Sequence, residues 1–285
     1  MKNKFVMSLL SNPLRNRKPE PIFSGSAIVF GGSEGIGFAI AQQLAMRGVS
    51  VGLVSRSPDK LKLAHDQIIA TRASDSVYCI TISADVTDAA SITSACNTMI
   101  EQLDDISLVV NSAGYTLPGY VDVLLPENYI EQWQHNCLGM LHIVQAMLPH
   151  FRSRGGGQFV GTASLLGLMG MFGYSAYASS KFALVGLLSS LRAELAPEKI
   201  GVTALCPPAV DTPGFIRENA IKPNEVLKAE RRAGVLSAEQ VALSLLHALP
   251  RNPARVIPSH LSRLVFVASR WMPGIVERML QRPKL

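Results

Sequence analysis

The sequence predicts an α/β protein, a doubly wound parallel sheet of about seven strands built as a single domain with a C-terminal amphipathic helix. Three observations lead there. Apolar runs of four to six residues alternate with longer stretches of helical period. A glycine-rich turn follows the first run directly and opens the first helix. The composition, 48% hydrophobic over 285 residues, is ample for one large core and unlike that of a disordered chain. Strands are expected at 27–30, 51–54, 78–82, 108–111, 158–162, 202–206 and 255–257. Helices are expected at 35–47, 59–72, 89–103, 126–152, 175–196, 237–249 and 261–281. Residues 1–21 read as a basic arm that Pro13, Pro19 and Pro21 keep from running as a helix into the first strand.

The first strand leads into "FGGSEGIGFAIAQQLAMRG", with glycines at 31, 32, 35 and 37. Such a turn lets the backbone approach a pyrophosphate, which then sits on the positive end of the following helix. The Gly-xxx-Gly-x-Gly spacing is not the common GxGxxG. It resembles the TGxxxGxG motif of the short-chain dehydrogenase/reductase family, with Phe30 where Thr is usual, over roughly residues 25–250. The resemblance implies a Rossmann-type fold and a nicotinamide cofactor along Gly31, Ser33, Glu34, Gly35, Ile36 and Gly37.

The second strand ends in Ser55 and Arg56, with Lys60 one helical turn on. An NAD site wants an acidic side chain there for the ribose 2′-hydroxyl, whereas a 2′-phosphate wants a cation. Arg56 can pair a phosphate bidentately, so NADPH is the expected cofactor, although Glu34 places a carboxylate in the same loop. "ADV" ends the third strand, and by resemblance Asp85 and Val86 meet the adenine. "NSAG" ends the fourth and resembles the family's NNAG, with Asn111, Ala113 and Gly114 beside the cofactor.

"YSAYASSK", residues 174–181, offers two tyrosines and one lysine. Residues four apart share a helix face, and Lys181 lies four after Tyr177 while Ala178 lies four after Tyr174. A neighbouring ammonium favours tyrosinate, so Tyr177 is expected to have a lowered pKa and to act as general acid. The family carries a serine thirteen residues before its tyrosine, which is Ser164 here; the same offset from Tyr174 reaches Gly161. Asn136 on the long preceding helix matches the family's fourth member, which holds a water linking the lysine to solvent. Ser179 and Ser180 read as small packing residues, and Tyr174 as a wall of the substrate pocket. In "CPPAVDTPGF" the family's PG-VxT becomes Pro207, Pro208, Val210 and Thr212, a stiffer loop whose Pro207, Val210 and Thr212 are expected at the nicotinamide with Tyr177 and Lys181. Together these imply ketone reduction, with Ser164 and Tyr177 holding the carbonyl oxygen and Tyr177 giving its proton.

Substrate signals are more diffuse. "LLGLMGMFGYSA" passes the substrate mouth in the family, and its methionines suit a flexible aliphatic chain. Residues 213–236 interrupt the βα rhythm with the length and mixed polarity of a mobile lid inside the reductase domain, 22–260. Residues 164–224 and the C-terminus resemble the branch of the family that reduces 3-ketosphinganine, so a long-chain keto lipid is the expected substrate. A 3-oxoacyl thioester reductase or a steroid or retinoid dehydrogenase would share the catalytic residues, and a cofactor-binding scaffold or redox sensor is the non-enzymatic alternative.

The charge of +6 sits at the ends: residues 1–20 hold five Lys/Arg against one Glu, and residues 251–285 hold seven against one. Basic ends on an acidic body suit an anionic membrane surface better than nucleic acid. Residues 261–285 carry an apolar stripe with four arginines and a kink expected at Pro273, suited to a membrane interface or to a neighbouring subunit. No run reaches the ~18 apolar residues of a spanning helix, so a cytoplasmic protein peripheral on a membrane is expected, on the cytosolic face of the endoplasmic reticulum in a eukaryote. Four cysteines without CxxC pairing support neither a metal site nor disulfides. The family resemblance implies a homodimer or homotetramer.

Overall fold

The computed structural model describes residues 25–281; the expected arm at 1–21 and residues 282–285 lie outside it. The chain forms β1 (Ser26–Phe30), α1 (Gly35–Ala45), β2 (Val51–Ser55), α2 (Pro58–Thr71), β3 (Cys79–Ser83), α3 (Ala89–Gln102) and β4 (Ile106–Asn111). It continues through α4 (Pro126–Trp133), a π-helical turn (Gln134–Leu138), α5 (Gly139–Arg154), β5 (Gly157–Thr162), α6 (Ser175–Leu195) and β6 (Ile200–Leu205). The last part holds β7 (Val210–Asp211), α7 (Pro213–Asn219), α8 (Asn224–Ala233), β8 (Leu236–Ser237), α9 (Ala238–Ala248), β9 (Arg255–Val256), α10 (His260–Trp271) and α11 (Pro273–Met279).

Seven strands make one parallel sheet in the order β3-β2-β1-β4-β5-β6-β9, so a doubly wound fold is what the chain adopts. Both faces are buried, which explains the unbroken apolar runs of β1, β4 and β6. Met99, Met140, Phe151, Phe159 and Leu188 pack on one face. Ile40, Leu44, Leu53, Ile68 and Leu245 pack on the other. The strand order reverses between β1 and β4, and in doubly wound sheets the crevice at the strands' C-terminal ends of such a switch point is where ligands bind.

The structure corrects one expected helix and defines two further segments. The helix expected at 126–152 is three pieces, because a π turn inserts one residue per turn and swings Asn136 to full burial. Residues 213–236, where a lid is expected, fold as α7 and α8, bracketed by the short parallel pair β7–β8. The C-terminal helix breaks at Pro273, as expected, into α10 and α11.

Candidate active site

The phosphate loop is built by close approach. Gly31 sits at φ +70°, and a Cβ there would lie 2.4 Å from the backbone nitrogen of Ala113. Gly37 lets α1 start against β1, since a Cβ would fall 2.2 Å from the Gly31 carbonyl oxygen. No side chain caps the N-terminus of α1. Its backbone N–H groups therefore point at the crevice without an internal acceptor, the arrangement that binds phosphate. Ser55 Oγ, at the end of β2, is buried without a hydrogen-bond partner. This cradle fits a dinucleotide. Ser33 and Ile36 are half-buried in the loop, and Gly114 faces Asn136 and Lys181.

At the adenosine end the expected cations are present, but each is engaged. Lys60 Nζ donates to Glu34 at 2.8 Å, and Arg217, from α7, donates to the other carboxylate oxygen. Burial would raise Glu34, yet the bonds to Arg217 and Lys60 outweigh it and hold the carboxyl below its usual value. Glu34 is thus neutralised by the cations around it. Arg56 stands 3.9 Å from Asp85, whose Oδ1 accepts from Thr87 N and Oγ1 at 2.9 and 2.8 Å. Val86 is buried, and Asn111 is buried with its Oδ1 accepting from Ala113 N at 3.0 Å.

Ser164, Tyr177, Lys181 and Asn136 converge at the C-terminal ends of β4 and β5. Lys181 is 3% exposed and donates to the Thr162 carbonyl at 2.9 Å, with its Nζ 5.6 Å from the Tyr177 ring centre. Burial pushes this amine down to about 8, against a smaller opposite pull from Cys206 and Cys137. The side chains of Ser164 and Thr116 lie beside the Tyr177 phenol, and each pulls its pKa down. Ser164 Oγ also accepts from Leu166 N at 3.1 Å. Pro207 anchors the serine's loop by accepting from Leu165 N at 2.8 Å, Val210 is buried in β7, and Thr212 Oγ1 caps α7 by accepting from Phe215 N at 3.1 Å.

Three expectations change here. Tyr177 was expected to have a lowered pKa; burial, reinforced by the charge of Glu218, instead raises it above the ordinary phenol value. Lys181 spends its hydrogen bond on Thr162 rather than on the phenol, and the lid brings carboxylates close. Asn136 is buried, with Nδ2 donating to Tyr115 O at 2.8 Å and Ser180 Oγ at 2.9 Å while Oδ1 accepts from Tyr115 N at 2.9 Å. Ser180 is therefore more than a packing residue, since it positions Asn136 and donates to the Tyr177 carbonyl at 2.7 Å. Tyr174 is 1% exposed, its phenol bonded to Glu218 and Glu230 of the lid rather than lining an aliphatic pocket. Thr116, Ser180, Arg217, Glu218, Lys222 and Glu230 escaped the sequence reading; only the i,i+4 pair Glu218/Lys222 left a local trace.

Comparison with known proteins gives the family and the fold. Residues 26–222 match the family model described as short chain dehydrogenase. The chain is 35% identical over 240 residues to the 3-dehydrosphinganine reductase of Danio rerio, covering 84% of this chain and 72% of that one. It is 35% identical over 244 residues to the 3-ketodihydrosphingosine reductase of Bos taurus, covering 85% and 74%. Among solved structures, a short-chain dehydrogenase/reductase from Burkholderia phymatum in complex with NAD superposes with a TM-score of 0.78 at 22% identity, over 93% of this chain and 98% of that one. An alcohol dehydrogenase from Thermococcus sibiricus complexed with 5-hydroxy-NADP gives 0.69 at 26% identity, over 81% and 94%.

Proposed function

Because the chain belongs to the short-chain dehydrogenase/reductase family of oxidoreductases, we propose that it reduces the 3-keto group of 3-ketosphinganine to the alcohol, with NADPH as cofactor. The observation that carries this reading is the meeting of Ser164, Tyr177 and Lys181 at the mouth of the β1/β4 crevice, beside a phosphate cradle. Bound in that cradle, a reduced nicotinamide supplies hydride to a carbonyl carbon. The Ser164 hydroxyl accepts from Leu166 N through its oxygen, and its single proton, directed at the Tyr177 phenol, would turn to the carbonyl oxygen of a bound ketone. Tyr177 keeps its proton at neutral pH because burial and Glu218 raise it, which suits a donor in the reductive direction. Lys181, poised near the phenol face, then steadies the phenolate. Arg56 and Lys60 favour a 2′-phosphate over a bare ribose, the latter on release from Glu34. The substrate class rests on the relatives named above.

The test is oxidation of NADPH and NADH by the purified protein against 3-ketosphinganine, a 3-oxoacyl thioester and a steroid ketone. The expected result is turnover of the sphingoid ketone with kcat/KM at least about tenfold higher for NADPH than for NADH. Preference for the thioester or the steroid overturns the substrate; preference for NADH overturns the cofactor.

The reading extends to where the protein works. No helix among the described residues is long and apolar enough to cross a membrane. α10 and α11 nevertheless expose Leu264, Trp271 and Ile275, at 68%, 83% and 57%, alongside Arg270 and Arg278. A basic, apolar surface of this kind suits peripheral attachment to an anionic bilayer. Leu264→Glu with Trp271→Glu should release the protein from phosphatidylserine liposomes in a co-sedimentation assay. Undiminished binding sinks the idea, and a change in oligomeric state without loss of binding assigns the face to a second subunit.

A further inference from the structure

Three residues before the proposed proton donor, at the N-cap of α6, Tyr174 is almost fully buried, and its hydroxyl oxygen lies 2.6 Å from both Glu218 Oε1 of α7 and Glu230 Oε1 of α8. One hydroxyl has one proton to give, and the two carboxyl groups converge on it from separate helices. Burial raises the Glu218 carboxyl against the opposing pull of its bonds to Tyr174 and Lys222. Between the two helices Lys222 Nζ, with no exposed side-chain surface, reaches Glu218 at 3.0 Å, Glu230 at 2.6 Å and Asn219 Oδ1 at 2.8 Å. Its three protons are all used, and its charge rests 4.1 Å from the Phe215 ring centre and 5.9 Å from that of Tyr174. The network joins one lysine, two carboxyl groups, one amide and one phenol, all turned inward.

The backbone supports the same junction. Gly173 has φ +75°, and a Cβ there would lie 2.6 Å from Val226 Cγ2, so α8 seats directly on the residue before Tyr174. Gly119 donates to Gly173 O at 2.9 Å, tying this corner to the loop after β4. The Tyr174 and Tyr177 rings lie 6.0 Å apart. Whatever holds Tyr174 therefore sets the wall against which the Tyr177 phenol stands.

We propose that Tyr174 is a positioning residue, the latch by which Glu218, Lys222 and Glu230 close both lid helices onto the catalytic helix and complete the substrate seat beside Tyr177. The catalytic part of this proposal rests on the reading of Tyr177 as proton donor. The latch itself does not. It is not a catalytic residue, because its proton is committed to the lid and not to the crevice.

The test pairs Tyr174→Phe, which keeps the ring and drops the hydroxyl, with Glu230→Gln, which alters only the lid. Hydrogen–deuterium exchange on the full chain, without substrate, should show amides of 213–233 exchanging about tenfold faster in both variants while β1 to β6 stay as protected as in the wild type. KM for the ketone should rise about tenfold with kcat at saturation nearly unchanged. Unchanged exchange in both variants overturns the latch. A fall in kcat at constant KM overturns the positioning role and makes Tyr174 part of the chemistry. Wild type inactive on every ketone, with lid exchange still accelerated in the variants, sinks the functional reading and leaves the latch standing.

Discussion

Replacing Tyr177 by Phe should lower kcat/KM for ketone reduction by about 10²–10⁴-fold, the range expected when a general acid is removed. The ring remains, so its contacts with Tyr174 and Lys181 and the fold around it persist. What disappears is the phenol proton, beside Ser164 and Thr116. Cofactor binding, measured by fluorescence titration, should stay within about threefold, because the phosphate loop is built from β1, α1 and β4 and owes nothing to the phenol. Full activity in Tyr177→Phe would transfer the proton to another group, for which Ser164 is the adjacent hydroxyl.

The second large effect concerns Lys181, where chemistry and stability pull apart. Its amine is driven by burial from 10.5 to about 8. The unfolded chain therefore binds the lysine's proton more tightly than the folded one, and folding stability carries the full cost of a buried ammonium below about pH 8. That cost is relieved as pH rises from about 8 toward the ordinary lysine value. Lys181→Met removes it at the expense of one hydrogen bond to Thr162 O. At ~1.4 kcal/mol per pKa unit, less ~1 kcal/mol for the lost bond, the variant should be more stable at pH 7 by on the order of 2 kcal/mol, while ketone reduction falls by orders of magnitude. In urea denaturation the gap should shrink between pH 8 and pH 10. A variant less stable than wild type at pH 7, or a gap independent of pH, would show that the lysine is held for packing rather than for charge.

The sheet was legible because both faces of each strand are covered: apolar runs such as 27–30 and 108–111 have no alternative use, and their order in a doubly wound fold follows from the βα rhythm. The phosphate loop was legible for a similar reason, since Gly31 and Gly37 stand where any side chain would strike backbone. Tyr177 and Lys181 were readable from helical spacing, which is local. Their electrostatics were not. The carboxylates that raise Tyr177 lie 41 and 53 residues downstream, in a segment whose period is too short to announce two helices.

Tyr174 was misjudged on the same ground: a tyrosine's neighbours determine whether it lines a pocket or holds a lid, and here they come from residues 218 and 230. Asn136 was recognised, but the π turn that buries it involves a single extra residue, below what periodicity can register. Ser180 carried no signal at all, because a serine that fills space and one that positions an amide look alike until the amide is seen.

The central claim is that this chain moves hydride from NADPH to the 3-keto carbon of a long-chain amino ketone while Tyr177 gives the proton. The most direct measurement supplies NADPH dideuterated at nicotinamide C4 together with 3-ketosphinganine, to wild type and to Tyr177→Phe, and reads the product by mass spectrometry. The account predicts sphinganine carrying one deuterium at C3 from the wild type and almost none formed by the variant. Product without deuterium, or equal labelled product from both proteins, contradicts it.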